Sequence, residues 1–262
     1  MYDFNYQRAS SIEDAASKHA AADDARYLAG GMTMVPVLKQ RLDQPSDVVD
    51  LGSLGDLTGI SEDGGAIVIG AMTPHHDVAT SDLVKSKIPA LADLAGTIGD
   101  PMVRNRGTIG GSLANNDPAA SYPAAVLGLG ATIKTNKRSI EADDFFTGMF
   151  DTALEEGELI TAVSFPVPEQ AGYKHFPNPA PRFPIVGAFV AKTGGGVRVG
   201  ITGASPCAYR QSSFEDALSG GLDPESLKGI EVSSDGMNSD IHASAEYRAH
   251  LVNVMARRAI GG

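Results

Sequence analysis

The chain has 262 residues, 42% of them apolar and 20% charged, which suits one large domain or two modest ones around a proper core. A formal net charge of -11 without any cluster of Lys and Arg speaks against a nucleic-acid binder, and it means that a phosphate ligand has to be held by backbone amides and a few local cations. One cysteine, Cys207, excludes an internal disulfide framework, an iron–sulfur cluster and a Cys-rich zinc site; it reads as a small apolar filler.

Ser11 followed by Glu13 and Asp14 opens a helix through SIEDAASKHAAADD, with a good cap and an acidic first turn. RYLAGG reads as a short strand running into a glycine pair, MVPVLKQRL as a helix with Pro36 near its start, and DVVDL as a buried strand. TGISEDGGAIVIGAM has the form of a hairpin turning at Asp63-Gly64-Gly65, and a helical region spans 74–98, broken at Pro89. TIGGSLANNDPAASYP follows and reads as a loop. AAVLGLG is then a short helix, ATIKTNKRSIEA two strands and ELITAVSFPV a third. A boundary is expected near 166–172, which predicts a first domain at 1–168 and a second at 169–262. In the second, YKHF, IVGAFVAK and VRVGITGAS are strands, 212–218 and 223–229 short helices, and HASAEYRAHLVNVMARRAI a strong amphipathic helix. The order gives an α+β chain. No apolar run approaches the roughly 20 residues of a membrane span. The opening MYDFNYQRASS lacks the basic start and apolar stretch of a signal peptide, so a cytoplasmic location is expected.

Two glycine pairs stand out. Ala29-Gly30-Gly31-Met32-Thr33 lies between a predicted strand and a predicted helix, and Thr108-Ile109-Gly110-Gly111-Ser112 precedes a run of hydrogen-bonding side chains: Asn115, Asn116, Asp117 and Ser121. A glycine-rich turn brings backbone N–H groups close to a phosphate because no Cβ blocks the approach. A pair of such loops suits a ligand with two phosphates, and the polar run suits its hydroxyls. As plain turns they would need no such run. Neither loop is G-x-G-x-x-G or G-x-x-x-x-G-K-[ST], so a Rossmann nicotinamide site and an ATPase are disfavoured.

LAGGMTMVPVLKQRL, VRNRGTIGGSLANNDPAASYPAAVLGLGA and the strand–proline pattern from YKHF to PIVGAFVA together resemble the FAD-binding medium subunit of the molybdenum hydroxylases. The carbon monoxide dehydrogenase type is nearer and the equivalent domain of xanthine dehydrogenase more distant. The resemblance covers nearly the whole length. It implies an FAD-binding domain of the vanillyl-alcohol-oxidase type, made of two α/β subdomains, plus a smaller C-terminal α+β domain. It implies that Ala29 to Met34 and Thr108 to Ser112 clamp the pyrophosphate, that Asn115, Asp117 and Ser121 contact the polar chain, and that Ile160 touches the adenine side. Lys174 would come to the cofactor from the C-terminal domain, and Phe183 would lie near the flavin. Many relatives carry Gln-Ser or His-Ser where this chain has Met32-Thr33; Ser121 replaces an acidic residue found in the xanthine dehydrogenase type, and Phe183 has no hydroxyl, so any tyrosine role is lost. The molybdenum cofactor and 2Fe-2S clusters would reside on a large and a small partner subunit, in a dimer of heterotrimers, with an external electron acceptor.

Pro74-His75-His76-Asp77 puts adjacent histidines on different faces of a helix, which is poor metal geometry, so no metal ligand is assigned. Arg104 and Arg106 flank TIGGS, within reach of a phosphate or an acidic partner, and read equally well as surface charges. No acid–base catalyst is assigned. The alternative is a stand-alone flavin oxidoreductase of the same fold, for which His175 is the one acid–base candidate; a third reading is a scaffold without cofactor.

Overall fold

The computed structural model describes residues 1–261. The chain begins with β1 (Asn5–Arg8), α1 (Ile12–Ala21), β2 (Ala25–Leu28), α2 (Met34–Lys39) and β3 (Asp47–Asp50). These strands form a parallel sheet in the order β1-β3-β2, with Val48 and Val49 of the central strand fully buried. Ser11 caps α1 by accepting from the Asp14 amide, as its position in the sequence predicts.

The second unit runs through β4 (Ile60–Asp63), β5 (Ala66–Gly70), α3 (His75–Thr80), α4 (Asp82–Lys87), α5 (Pro89–Thr97), α6 (Pro101–Arg104), α7 (Ile109–Asn115) and α8 (Tyr122–Leu129). It continues through β6 (Thr132–Thr135), β7 (Ser139–Glu141), α9 (Ala142–Phe145), β8 (Phe146–Gly148), β9 (Asp151–Thr152) and β10 (Ile160–Pro166). Its antiparallel sheet has the order β4-β5-β10-β6-β7, so β10 returns along the chain to pair between β5 and β6. Ile67, Ile69, Val163 and Phe165 from the sheet share one core with Leu91, Ile109, Leu113 and Val126 from the helices.

The last unit is β11 (Gln170–Pro177), β12 (Pro184–Thr193), β13 (Gly196–Thr202), β14 (Tyr209–Arg210), α10 (Ser212–Ala217) and α11 (Ala245–Gly261). Its four strands are antiparallel in chain order. Both faces of β12 are covered. Phe189 and Ala191 join the core beneath α8, while Ala188 and Val190 pack with Val252 and Met255 of α11.

Several expectations change. TIGGSLAN is a helix rather than a loop, because Thr108 caps it through Oγ1 to the Gly111 amide and Asn116 ends it in the left-handed region at φ 41°. The final helix starts at Ala245, since Asp240 takes the His242 and Ala243 amides and Ser244 caps through the Tyr247 amide. The predicted helix at 223–229 is a 3-10 turn over Pro224–Leu227. The small β8–β9 pair carried no apolar alternation to reveal it. Among the described residues no helix is long and apolar enough to cross a membrane.

Candidate functional site

The first glycine loop leaves β2 at Leu28 and enters α2 at Met34. Gly31 takes φ 75°, which turns the chain. Among the described residues, the amides of Gly30, Gly31, Met32 and Thr33 donate to no main-chain carbonyl, so four successive donors are free. Met32 and Thr33 are exposed, and the Thr33 side chain makes no cap.

The second loop is wired differently. The Ile109 amide donates to Thr73 O at 3.2 Å, Gly110 to Ala71 O at 2.9 Å, and Gly111 to Thr108 Oγ1 at 3.2 Å. Its donors are committed internally, and Thr108, Ile109 and Gly110 are buried. A Cβ on Gly110 would lie 2.6 Å from the Ala71 Cβ, so only glycine permits this seat. The even-handed clamp expected from two glycine pairs is therefore asymmetric. The first loop supplies free amides; the second supplies a close, smooth wall.

The loops meet. A Cβ on Gly30 would fall 1.9 Å from Arg106 O, and one on Gly111 would sit 3.5 Å from the Ala29 Cβ. Ala29, Gly110, Gly111 and Ile160 line one cleft with Tyr27, Leu51, Ala71 and Met72. Tyr27 donates its hydroxyl to Gly157 O at 3.0 Å, and burial pushes that phenol up to about 12. Glu158 also borders the cleft, its side chain buried. Burial opposes its charge, but Arg138 at 3.1 Å, the Glu155 amide at 2.8 Å and Thr135 at 2.7 Å outweigh that and hold it at about 2.

The polar run after the second glycine pair divides by role. Ser112 and Asn115 are half-buried and make no side-chain hydrogen bond among the described residues, so they are available to a ligand. Asn116 is structural: its Nδ2 donates to Gly148 O at 2.9 Å and Asp151 O at 2.7 Å, clasping the β8–β9 pair. Asp117 accepts from the Ala119 amide at 2.8 Å, and Ser121 is buried at the head of α8. Thr202 of β13 donates to Ala120 O at 2.6 Å and so anchors the run to the last sheet.

Asp117 and Phe183 share a second cleft of ≈ 360 Å³ with Met149, Asn178, Asp240 and Arg248. Phe183 is 51% exposed at its rim. Arg248 is 5% exposed and braces three walls, donating Nη1 to Ile185 O at 2.7 Å and Gly203 O at 2.9 Å, and Nη2 to Asp240 at 2.7 Å. Sequence reasoning passed over Arg248; its one signal was a cation on the apolar stripe of Leu251, Val252 and Met255. Lys174 stands apart. It is exposed, borders neither cleft, and pairs with Ala188 on the α11 side of the sheet while Tyr173 faces α8.

His75 lies buried beneath the second loop, its amide donating to Gly107 O at 2.9 Å and its ring 5.3 Å from that of Tyr122. Burial, helped by Arg104, lowers its pKa to about 4, so the imidazole is neutral. Its Nδ1 and the Tyr122 hydroxyl have no partner among the described residues. No group of three or more His, Cys, Asp or Glu among the described residues could hold a metal ion.

Free amides beside an apolar cleft, reached over glycines where a Cβ would collide, suit a phosphate-bearing ligand lying between the two loops. The comparisons name it further. Residues 2–168 match the model described as the FAD binding domain in molybdopterin dehydrogenase. The chain is 35% identical over 274 residues to the carbon monoxide dehydrogenase medium chain of Afipia carboxidovorans, covering 98% of this chain and 95% of that one. It is 36% identical over 269 residues to the nicotine 6-hydroxylase medium subunit of Paenarthrobacter nicotinovorans, covering 97% and 95%. Reconstituted CO dehydrogenase from Oligotropha carboxidovorans superposes with a TM-score of 0.90 at 34% identity, covering 99% of this chain and 97% of that one. The chain belongs to the family of FAD-binding subunits of molybdenum hydroxylases and is an oxidoreductase subunit of α+β fold. The residues fit FAD: the four free amides suit a pyrophosphate, and the apolar walls at Leu51, Met72 and Ile160 suit a flat base beside it.

Proposed function

We propose that this chain is the electron-transfer subunit of a heteromeric molybdenum hydroxylase. The observation that carries the reading is the row of free amides at Gly30 to Thr33, set against the Gly110–Gly111 wall. Bound FAD would supply the redox step between iron–sulfur clusters on a small partner subunit and an external acceptor, with substrate oxidised at a molybdenum cofactor on a large subunit.

This chain's own residues bind and orient. Ala29 to Met34 hold the pyrophosphate through amides, and Thr108 to Ser112 form the opposing wall. Ser112 and Asn115 offer free side chains to the polar chain of the cofactor. Asp117 and Ser121 belong to the same run, and Ile160 closes the adenine side. Phe183 and Asp117 border the cleft toward the flavin end. Lys174 enters this assignment on family grounds alone. We also propose domains at 1–168 and 169–262, a dimer of heterotrimers, and a cytoplasmic location. The medium-chain and medium-subunit names of the relatives support partner chains.

The test is purification of the tagged chain with whatever accompanies it, followed by a visible spectrum, acid extraction of flavin and metal analysis. Non-covalent FAD with molybdenum and iron in one complex is expected. A yellow protein that turns over a substrate alone would favour a self-contained flavoenzyme, and a colourless chain that binds no added FAD would overturn the reading.

A further inference from the structure

Arg106 is an exposed cation whose main chain adjoins the free-amide row. Its carbonyl lies against Gly30, where a Cβ would be 1.9 Å away, so its backbone is the immediate neighbour of that row. Its side chain is exposed, and among the described residues it makes no ion pair and no side-chain hydrogen bond. The companion arginine is committed: Arg104 donates Nη1 to Ile98 O at 3.0 Å and Gly99 O at 3.1 Å. Of the two arginines flanking TIGGS, one braces the turn before the glycine pair and the other is unassigned.

A pyrophosphate on the Gly30–Thr33 amides would carry its charge in a chain of net charge -11. Neutral amides can hold an anion, but a guanidinium adds a charge-assisted, bidentate contact about twice as strong. The side chain of Arg106 starts one residue from the Gly107–Thr108 turn and is long enough to fold over the mouth between the loops. We propose that Arg106 closes over the cofactor's pyrophosphate as a binding residue and selects ligands that carry a diphosphate. This rests on the FAD reading above and adds one residue to that site.

The experiment compares the full-length chain with R106Q and R106K, stripped of flavin and titrated with FAD by fluorescence quenching and with ADP by competition. R106Q is expected to weaken FAD and ADP by the same factor, about 10- to 100-fold, while R106K recovers part of the loss. The added loss should shrink as salt rises, because the residue is exposed. Circular dichroism and melting should be unchanged, since the side chain is exposed and makes no ion pair or hydrogen bond among the described residues. Equal FAD affinity in wild type and R106Q overturns the proposal and leaves the FAD reading standing. So does an R106Q chain that binds FAD normally but fails to join its partner subunits, which would make Arg106 an assembly contact. A wild-type chain that binds neither FAD nor ADP removes the reading underneath.

Discussion

Substituting Gly30 by Ala puts a methyl group 1.9 Å from Arg106 O and 2.6 Å from Arg106 C. Comfortable contacts begin near ~3.5 Å, so the two loops must part by about 1.5 Å. Both obstacles are main chain, and no rotamer can swing aside. Overpacking of this kind costs ~1–3 kcal/mol, and the upper end applies when nothing can relax. In a chain of this size that lowers Tm by roughly 5–10 °C. Separating the loops also spreads the amide row from its facing wall. Loss of one charge-assisted hydrogen bond would raise the FAD Kd about 10- to 100-fold. Differential scanning calorimetry and fluorescence titration measure both effects. Gly194 is the control, because a Cβ there meets nothing within 4 Å; G194A should stay within ~0.5 kcal/mol. If G30A melts and binds FAD like G194A, the two loops do not meet as described, and the site assignment falls with them.

N116A leaves Gly148 O and Asp151 O without their donor and forces Ala into a left-handed conformation, so a loss of about 3–5 kcal/mol is expected, with faster proteolysis within 146–152; N116G should regain only the backbone share. His75 is held neutral at about 4 against 6.5 when unfolded, so its contribution is complete above pH 6.5 and lost as pH falls toward 4; the Tm of H75Q should be flatter than wild type across that window. Glu158, held at about 2 against 4.5, contributes above pH 4.5 and loses that contribution as pH falls toward 2; E158Q should be less stable at neutral pH and show a shallower acid limb there. R248M should loosen the second cleft by freeing Ile185 O, Gly203 O and Asp240 together, seen as increased hydrogen exchange over 238–243.

Much of the fold is written locally. Ser11 with its acidic first turn, the Asp63-Gly64-Gly65 hairpin and the unbroken apolar run PIVGAFVA each carry a signal that survives into the structure, because propensity and burial agree there. The TIGGSLAN helix did not, because two glycines weaken helix propensity by ~1 kcal/mol each and the compensation lies far off in sequence: Ala71 accepts the Gly110 amide and Thr73 the Ile109 amide. The free amides of the first loop were equally invisible, since an unmade hydrogen bond has no composition. The role of Asn116 was concealed by its company. Beside Asn115 and Asp117 it reads as one more ligand group, yet its partners are the carbonyls of a strand pair more than thirty residues downstream. Arg248 is legible only once its three acceptors, drawn from three separate segments, have been brought to one place.

The electrostatics explain how an acidic chain can host an anion. A uniformly positive cleft would need several cations close together, each desolvated and each repelling the others. Backbone amides carry no net charge, cost no ionisation and are fixed in direction by the turn that presents them. In the proposed site the first loop would bind by geometry and the second by proximity, since a wall without Cβ atoms would let the ligand approach the donors closely. The carboxylate that borders this cleft, Glu158, is ionised but is paired with Arg138 and hydrogen-bonded by Thr135 and the Glu155 amide, which offsets the negative charge it would otherwise set against an anion. One exposed guanidinium at Arg106 then suffices to bias the mouth toward a diphosphate, without converting the face into the basic surface that would attract polyanions indiscriminately.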